Sequence, residues 1–294
     1  MASPALTLRP LQAADCDHLL NWIGSEDALY QWSGARAFTW PLDRGQLLRD
    51  LAAHTGSSRE LLAAVDEGGE MVGHVSVDTA RHHRLANIGR VAIAPHRRDS
   101  GLGTALMRAT VRHGFDDLGL HRLQLTVYTF NTAAIACYRG VGFVVEGLAR
   151  DSTRGSTGYW DGLTMALLAP DYRSPVVLGE GIRVAGPRDP ERIAELLTDL
   201  GHPHDRDAAA ERLLAWAAET QAAVLVAETD GVVAGYVAVC RLPCFERSGW
   251  SARVVSLAAA HRDARDRLLH AAERWATHRG ATDLEVSAPA GPGS

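Results

Sequence analysis

The stretch from Asn87 to Thr104, NIGRVAIAPHRRDSGLGT, constrains the fold more than any other. Val91-Ala92-Ile93-Ala94 is a short apolar run suited to a buried strand, and Pro95 ends its ladder. A polar turn then passes through Gly101 and Gly103 into LGTALMRATVRHGF, whose apolar spacing is helical. Strand, glycine turn and helix start together can build an anion site. The first amides of a helix lack intrahelical acceptors, the helix dipole is positive there, and glycine lets the backbone approach a ligand without a Cβ in the way. Such a site suits a pyrophosphate. Glycines at a helix start are also ordinary punctuation, so the segment alone leaves both readings open.

A chain of 294 residues is long enough for two ordinary domains, and with 46% hydrophobic residues it can bury two cores. The net charge of −5 is spread without long blocks of one sign, which predicts neither a nucleic-acid nor an anionic-membrane surface. No apolar run is long enough to span a bilayer, and MASPALTLRP has neither a charged n-region nor an apolar h-region, so a cytoplasmic location is expected. Cys16, Cys137, Cys240 and Cys244 lack the spacing and histidine partners of a zinc site; they read as free thiols, and no metal is expected. All thirty basic residues are arginine. Without lysine there is no Walker-type phosphate lysine, Schiff base or lysine-bound pyridoxal cofactor.

In chain order, Leu6–Arg9 reads as a strand and Ala14–Gly24 as a helix. Tyr30, Trp32, Phe38 and Trp40 read as a cluster in a loop, serving as pocket wall or as cover for a second helix opening at Pro41. Glu60–Asp66 and Met71–Thr79 form a hairpin across Asp66-Glu67-Gly68-Gly69, and Asn87–Ala94 continues the meander. After the glycine turn and its helix, Arg122–Thr129 alternates like a half-buried strand and Asn131 caps a short helix carrying Cys137 and Tyr138. A strand from Gly142-Phe143 then turns back through Arg154–Gly158 into Tyr159–Leu168.

That order of elements, with R98-D-S-G101-L-G103, N131-T-A-A-I-A-C-Y138 and G142-F143-V-V-E146-G147, resembles the GNAT superfamily of N-acetyltransferases over roughly residues 5–169. The W-S-G and W-P-L elements and the ending G-Y-W-D161-G-L-T-M-A-L-L look most like its branch of ribosomal-protein N-terminal acetyltransferases. The implied fold is α/β (α+β), a mixed and mostly antiparallel sheet flanked by helices. The pattern recurs after a Pro- and Gly-rich stretch: Ile182-Arg183-Val184, helices over Pro190–Leu200 and Asp207–Trp216, and a meander Val226–Val239 that parallels Ala63–Val77. The expected organisation is a catalytic domain 1–170, a linker 171–181 and a degenerate, non-catalytic copy 182–294. In that copy His261-Arg262 leads into a helix without glycine, and a strand Asp283–Ser287 has no hairpin after it.

The resemblance implies acetyl-CoA as co-substrate. Backbone groups of Val91 and Ile93 would align its arm, and Arg98, Asp99, Ser100, Gly101, Leu102, Gly103 and Thr104 would hold the pyrophosphate. Asn131 would touch the arm as well as cap its helix, and Tyr138 matches the tyrosine that protonates the leaving thiolate. Trp32, Asp78, Asn87 and Tyr159 are expected around the acceptor cleft. Related enzymes place a glutamate where this chain reads Ala86-Asn87-Ile88-Gly89, and asparagine accepts no proton at neutral pH. Asp78, His74, His82 and Glu146 remain as bases, or the amine sheds its proton to water. The acceptor is a small-molecule amine or a protein N-terminus, and a homodimer is left open. A non-catalytic acetyl-CoA sensor is the alternative. A dinucleotide-binding reading is weaker, because no third glycine follows Gly103.

Overall fold

The structure is a computed structural model and describes residues 6–34, 37–173, 177–199, 201–202, 205–244, 246 and 248–286. Contacts divide the chain into two units, Met1–Arg173 and Ser174–Ser294. Ser287 of the expected last strand and residues 174–176 of the expected linker lie outside the described residues.

The first unit contains β1 (Thr7–Pro10), α1 (Cys16–Trp22), α2 (Glu26–Ser33), α3 (Arg44–His54), β2 (Arg59–Val65), β3 (Met71–Ala80), β4 (Leu85–Ile93), α4 (Leu102–Arg112), β5 (Arg122–Tyr128), α5 (Thr132–Val141), β6 (Val144–Gly155), β7 (Gly158–Leu168) and α6 (Ala169–Arg173). They build a seven-stranded sheet in the order β1-β2-β3-β4-β5-β7-β6. Every pairing is antiparallel except β4 with β5.

Two sequence expectations change here. Tyr30 and Trp32 belong to a helix, α2, rather than a loop. Ser25 caps it by accepting the Ala28 N–H at 3.1 Å, Glu26 and Asp27 suit its positive end, and Gly34 at φ 73° terminates it. The next helix opens at Arg44, not Pro41, because the Asp43 side chain supplies the cap by accepting the Gln46 N–H at 2.8 Å. Residues 169–173, at the edge of the expected linker, form the short helix α6.

Alternation sorts the sheet into two faces. Leu61 and Ala63 of β2 join Leu19, Trp22, Leu29, Trp32, Phe38 and Leu47 in a core beneath α1–α3. The opposite face meets α4: a Cβ on Gly73 would lie 3.2 Å from Leu106, and one on Gly114, just past α4, would clash with Leu123. α4 turns Leu102, Ala105, Leu106, Ala109 and Thr110 inward, the i, i+3, i+4, i+7 stripe of a helix lying on a sheet.

The second unit contains β8 (Ile182–Val184), α7 (Pro190–Asp199), α8 (Arg206–Ala218), β9 (Ala222–Thr229), β10 (Val232–Pro243), β11 (Trp250–Ala259), α9 (Arg262–His278) and β12 (Ala281–Val286). Its sheet runs β12-β11-β10-β9-β8, with only β11 and β12 parallel. Ala223, Leu225 and Ala227 pack with Leu268 and Trp275 of α9, while Val224 and Val226 face Ile193 and Leu196 of α7.

The repeat extends to single side chains. Arg9 pairs with buried Asp15 six residues on, whose Oδ2 also accepts the Gln12 N–H at 2.7 Å. Arg183 pairs with buried Asp189 at the same spacing, and Asp189 Oδ2 accepts the Gly186 N–H at 2.6 Å. Each pair ties a first strand to the start of the helix that follows.

Candidate functional site

β4 and β5 hydrogen-bond over four residue pairs only, from Leu85↔Arg122 to Ile88↔Leu125. β5 then continues along β7, and β4 continues along β3 through a bulge at which Arg90 and Val91 oppose Val75. Arg90 sits at φ 53°, a left-handed conformation uncommon outside glycine, and bulges increase local twist. The two strands therefore part beyond Ile88. Ala94 donates to the Val72 carbonyl at 3.0 Å, so strand alternation turns the backbone groups of Ile93, and of Val91 before it, away from β3 and toward the gap.

The bulge is held from beneath. Trp32 Nε1 donates to the Arg90 carbonyl at 2.9 Å, and the Arg90 guanidinium lies over the Phe38 ring, 4.9 Å from its centroid. Both guanidinium ends reach the Asp50 carboxylate on α3. Trp32 is thus a 6% exposed core residue that supports β4 and does not line an open cleft, which corrects its expected place. His74 is buried beside it, with Nδ1–H donating to the Leu62 carbonyl at 3.0 Å. Burial, aided by the Arg90 charge, lowers its pKa to about 4, so the ring is neutral and sealed and is no base for an incoming amine.

The turn after β4 has the form of an anion cradle. Asp99 and Gly101 are both left-handed, at φ 58° and 81°, a pattern that gathers successive N–H groups to one side. Gly101 is the N-cap of α4 and offers no side chain to it; the first helical bond is Ala105 N–H to the Gly101 carbonyl, 3.1 Å. The amides of Leu102, Gly103 and Thr104 precede that bond, and the first turn has no acidic residue. Arg98 donates from Nε to the Ile93 carbonyl at 3.4 Å and has no acidic partner among the described residues, whereas Arg97 is taken up by Asp66 and Glu70. The Ser100 hydroxyl turns back to the Arg97 carbonyl at 2.5 Å.

Three elements meet at Gly103. A Cβ there would lie 3.8 Å from Cys137 Sγ on α5 and 4.0 Å from Ile93 Cγ1 on β4, and the Thr104 hydroxyl contacts Cys137 Sγ at 3.6 Å. No described residue comes close enough to require glycine at this position, which leaves the backbone open to the approach of a ligand. Asn131 caps α5, its Oδ1 accepting the Ala134 N–H at 3.2 Å. Tyr138, next to Cys137, is 7% exposed with its ring against Phe143, and its hydroxyl makes no hydrogen bond among the described residues. Burial, with the neighbouring Cys137, raises its pKa above the ordinary phenol value and keeps the hydroxyl protonated.

The other expected cleft residues divide into two places: Asp78 and Asn87 stand opposite each other on β3 and β4, and Tyr159 lies apart at the start of β7. Asp78 is held by Arg59 at 2.6 Å, Glu146 by both terminal nitrogens of Arg122, and His82 sits at the β3–β4 turn against His83. The Arg122 bond holds the Glu146 carboxyl below its usual pKa, which makes it a weak base. Asn87 is exposed, and its Oδ1 accepts from Gln124 Nε2 at 2.6 Å. Tyr159 is 63% exposed on the β6–β7 hairpin; its neighbour Trp160 is the inward ring, edge-on to Tyr128 and Phe130 at 5.0 and 5.1 Å. Strand parity, which sends adjacent residues to opposite faces, could have favoured Trp160.

The second unit repeats the strand geometry without the cradle. β11 bulges at Val255 opposite β10, as β4 does opposite β3. The helix after it begins at once, and the N-cap His261 fills its own first turn by accepting the Ala264 N–H at 3.2 Å, with Asp263 beside it. Among the described residues no group of three or more His, Cys, Asp or Glu side chains could hold a metal ion, and no helix is long and apolar enough to cross a membrane.

Residues 26–143 match the model of the acetyltransferase (GNAT) family. The chain is 31% identical over 147 residues to spermidine N(1)-acetyltransferase of Escherichia coli (strain K12), covering 49% of this chain and 75% of that protein. It is 35% identical over 129 residues to mycothiol acetyltransferase of Pseudarthrobacter chlorophenolicus, covering 41% of this chain and 40% of that one, less than half of that relative's length. The fold resembles that of spermidine N-acetyltransferase from Vibrio cholerae, solved in complex with CoA and spermine, with a TM-score of 0.52 at 24% identity over 57% of this chain and 98% of that one. With the parted strands, the glycine cradle and the helix bearing Tyr138, these likenesses give one conclusion: the chain belongs to the acetyltransferase (GNAT) family.

Proposed function

We propose that the first unit transfers an acetyl group from acetyl-CoA to a primary amine of a small molecule or a protein N-terminus, by direct attack of the amine. The observation that carries this reading is the convergence at Gly103, where the gap-facing backbone of β4, the uncapped first turn of α4 and the helix carrying Tyr138 come together.

When bound, acetyl-CoA supplies an acetyl group activated as a thioester. The first-turn amides of α4 and the Arg98 guanidinium would hold its phosphates, and the backbone of Val91 and Ile93 would orient the arm along the gap. Tyr138 Oη holds a proton through the neutral range and gives it to sulfur as the carbon–sulfur bond breaks. The candidate carboxylate bases are already paired and His74 is sealed, so the amine nitrogen sheds its proton to water. The second unit, whose helix start is capped by its own His261, is assigned a non-catalytic role.

Thiol release from acetyl-CoA, measured with several primary amines across pH, tests this. The expected result is turnover whose pH profile follows the pKa of each amine and not a fixed group of the protein. Binding of acetyl-CoA without thiol release from any amine would leave a sensor instead.

A further inference from the structure

A line of hydrogen bonds crosses the face of the first sheet on which α1–α3 lie, and it ends in the open at Asn87. Ala63 of that core stands opposite His74, so His74, Ser76 and Asp78 share its face; Asn87 stands opposite Asp78, and Gln124 stands beside Asn87. α4 and the cradle occupy the other face. Asn87 lies one step before Ile88↔Leu125, the last pair before β4 and β5 part.

The direction of the line is set at its charged end. The Glu146 carboxylate accepts from Arg122 Nη1 and Nη2 at 2.9 and 2.5 Å, and Arg122 Nε donates to Gln124 Oε1 at 2.9 Å. A guanidinium has only donors, so Gln124 must turn its oxygen to Arg122 and its amide nitrogen to Asn87. That nitrogen donates to Asn87 Oδ1 at 2.6 Å. Asn87 keeps one lone pair on Oδ1 beside the Gln124 bond, and its Nδ2 is an exposed group of two N–H donors without a partner among the described residues. Such a group neither takes a proton from an ammonium nor binds one; it binds an oxygen lone pair.

We infer that Asn87 selects acceptors whose amine stands beside a carboxylate or carbonyl oxygen, an α-amino carbonyl compound such as an amino acid, an amino-acid amide or a peptide N-terminus. Polyamines offer Nδ2 nothing, since their charged groups are all donors. The surrounding charges agree: Arg59 neutralises Asp78 and Arg122 neutralises Glu146, so neither carboxylate presents an uncompensated charge to attract an ammonium. The inference rests on the acetyl-transfer reading above and adds the recognition element.

The test is kcat/KM for thiol release from acetyl-CoA with glycine, glycinamide and triglycine against propylamine and spermidine, each corrected for its neutral fraction. The full-length protein should favour at least one oxygen-bearing amine over propylamine by about tenfold, the loss expected when a polar group goes unpaired. The turnover pattern among glycine, glycinamide and triglycine distinguishes free amino acid, amide and peptide as sources. Asn87→Ala should remove that preference, bringing the ratio of glycinamide to propylamine close to one. Gln124→Glu should move it the other way: a carboxylate accepts from both Arg122 and Asn87, so Asn87 turns its oxygen outward and the spermidine-to-glycinamide ratio rises. Circular dichroism checks folding, and the exposed Asn87→Ala carries the test if Gln124→Glu does not fold. A wild-type preference for spermidine, or ratios unchanged in both variants, overturns the inference and leaves the transferase intact. Acetyl-CoA binding without thiol release from any amine removes the transferase reading and the inference with it.

Discussion

Ser156, at the tip of the β6–β7 hairpin, donates its backbone N–H at 3.0 Å and its hydroxyl at 2.5 Å to the carboxylate of Asp27, on the first turn of α2 and 129 residues away in sequence. α2 supports β4 through Trp32, and β7 pairs with β5, so this contact spans the two sides of the gap. Asp27→Ala removes both bonds from an exposed site. Stability should fall by only about 1 kcal/mol, while KM for the acceptor rises about fivefold and KM for acetyl-CoA stays unchanged. Steady-state kinetics with each substrate varied in turn checks this; equal changes in both constants would count against a role on the acceptor side.

Gly103→Ala separates folding from binding. The added Cβ meets nothing closer than 3.8 Å, and alanine is the better helix former by about 1 kcal/mol. The variant should melt at or slightly above the wild-type temperature, yet bind acetyl-CoA at least about tenfold more weakly, because the added Cβ blocks backbone approach where the proposed site would hold the phosphates. Calorimetric titration of the whole chain should also give one site per chain, since α9 caps its own first turn. A second site of similar affinity would place phosphate at a helix start that His261 and Asp263 fill.

Tyr138→Phe keeps the buried ring and its contact with Phe143. The hydroxyl makes no hydrogen bond among the described residues, so the thermal midpoint should move little. Turnover should drop by about 10²-fold, as expected for loss of a positioned proton donor. Wild-type turnover in this variant would remove Tyr138 from the chemistry.

His74 makes the first unit acid-sensitive in a predictable window. Its folded pKa of about 4 lies below the ordinary 6.5, so the unfolded chain binds the extra proton between those values. The stabilisation is complete above pH 6.5 and is lost as pH falls toward 4, at a slope of about 1.4 kcal/mol per pH unit for one proton. Urea unfolding from pH 4 to 7 should show that slope, and His74→Gln, which can still donate to Leu62, should flatten it by about one proton. An unchanged slope would mean that another group carries the titration.

Much of the first unit was legible because its signals are local. The glycine turn, the Asn131 cap and the Asp66 hairpin each depend on a few neighbouring residues, and the structure forms all three. α2 was masked by its own rings: Tyr30 and Trp32 drew the reading toward a pocket, although Ser25-Glu26-Asp27 is a helix start. β10 extends through Pro243 and β11 opens at Trp250, where Cys240–Trp250 carries no clear alternation to mark a strand pair. The neutral state of His74 and the direction of the Gln124–Asn87 bond arise from residues far apart in sequence, which periodicity does not bring together.

The first sheet is continuous by hydrogen bonding but narrow at one junction. Four residue pairs, Leu85–Ile88 against Arg122–Leu125, are the seam between a panel of β1–β4 and a panel of β5, β7 and β6. That short seam joins the panels along one stretch, and the Asp27–Ser156 contact is a second tie between the elements on either side of the gap. Beyond Ile88 no β4–β5 pairing fixes the spacing around Ile93, so that width is set by the angle at which the four-pair seam joins the two panels.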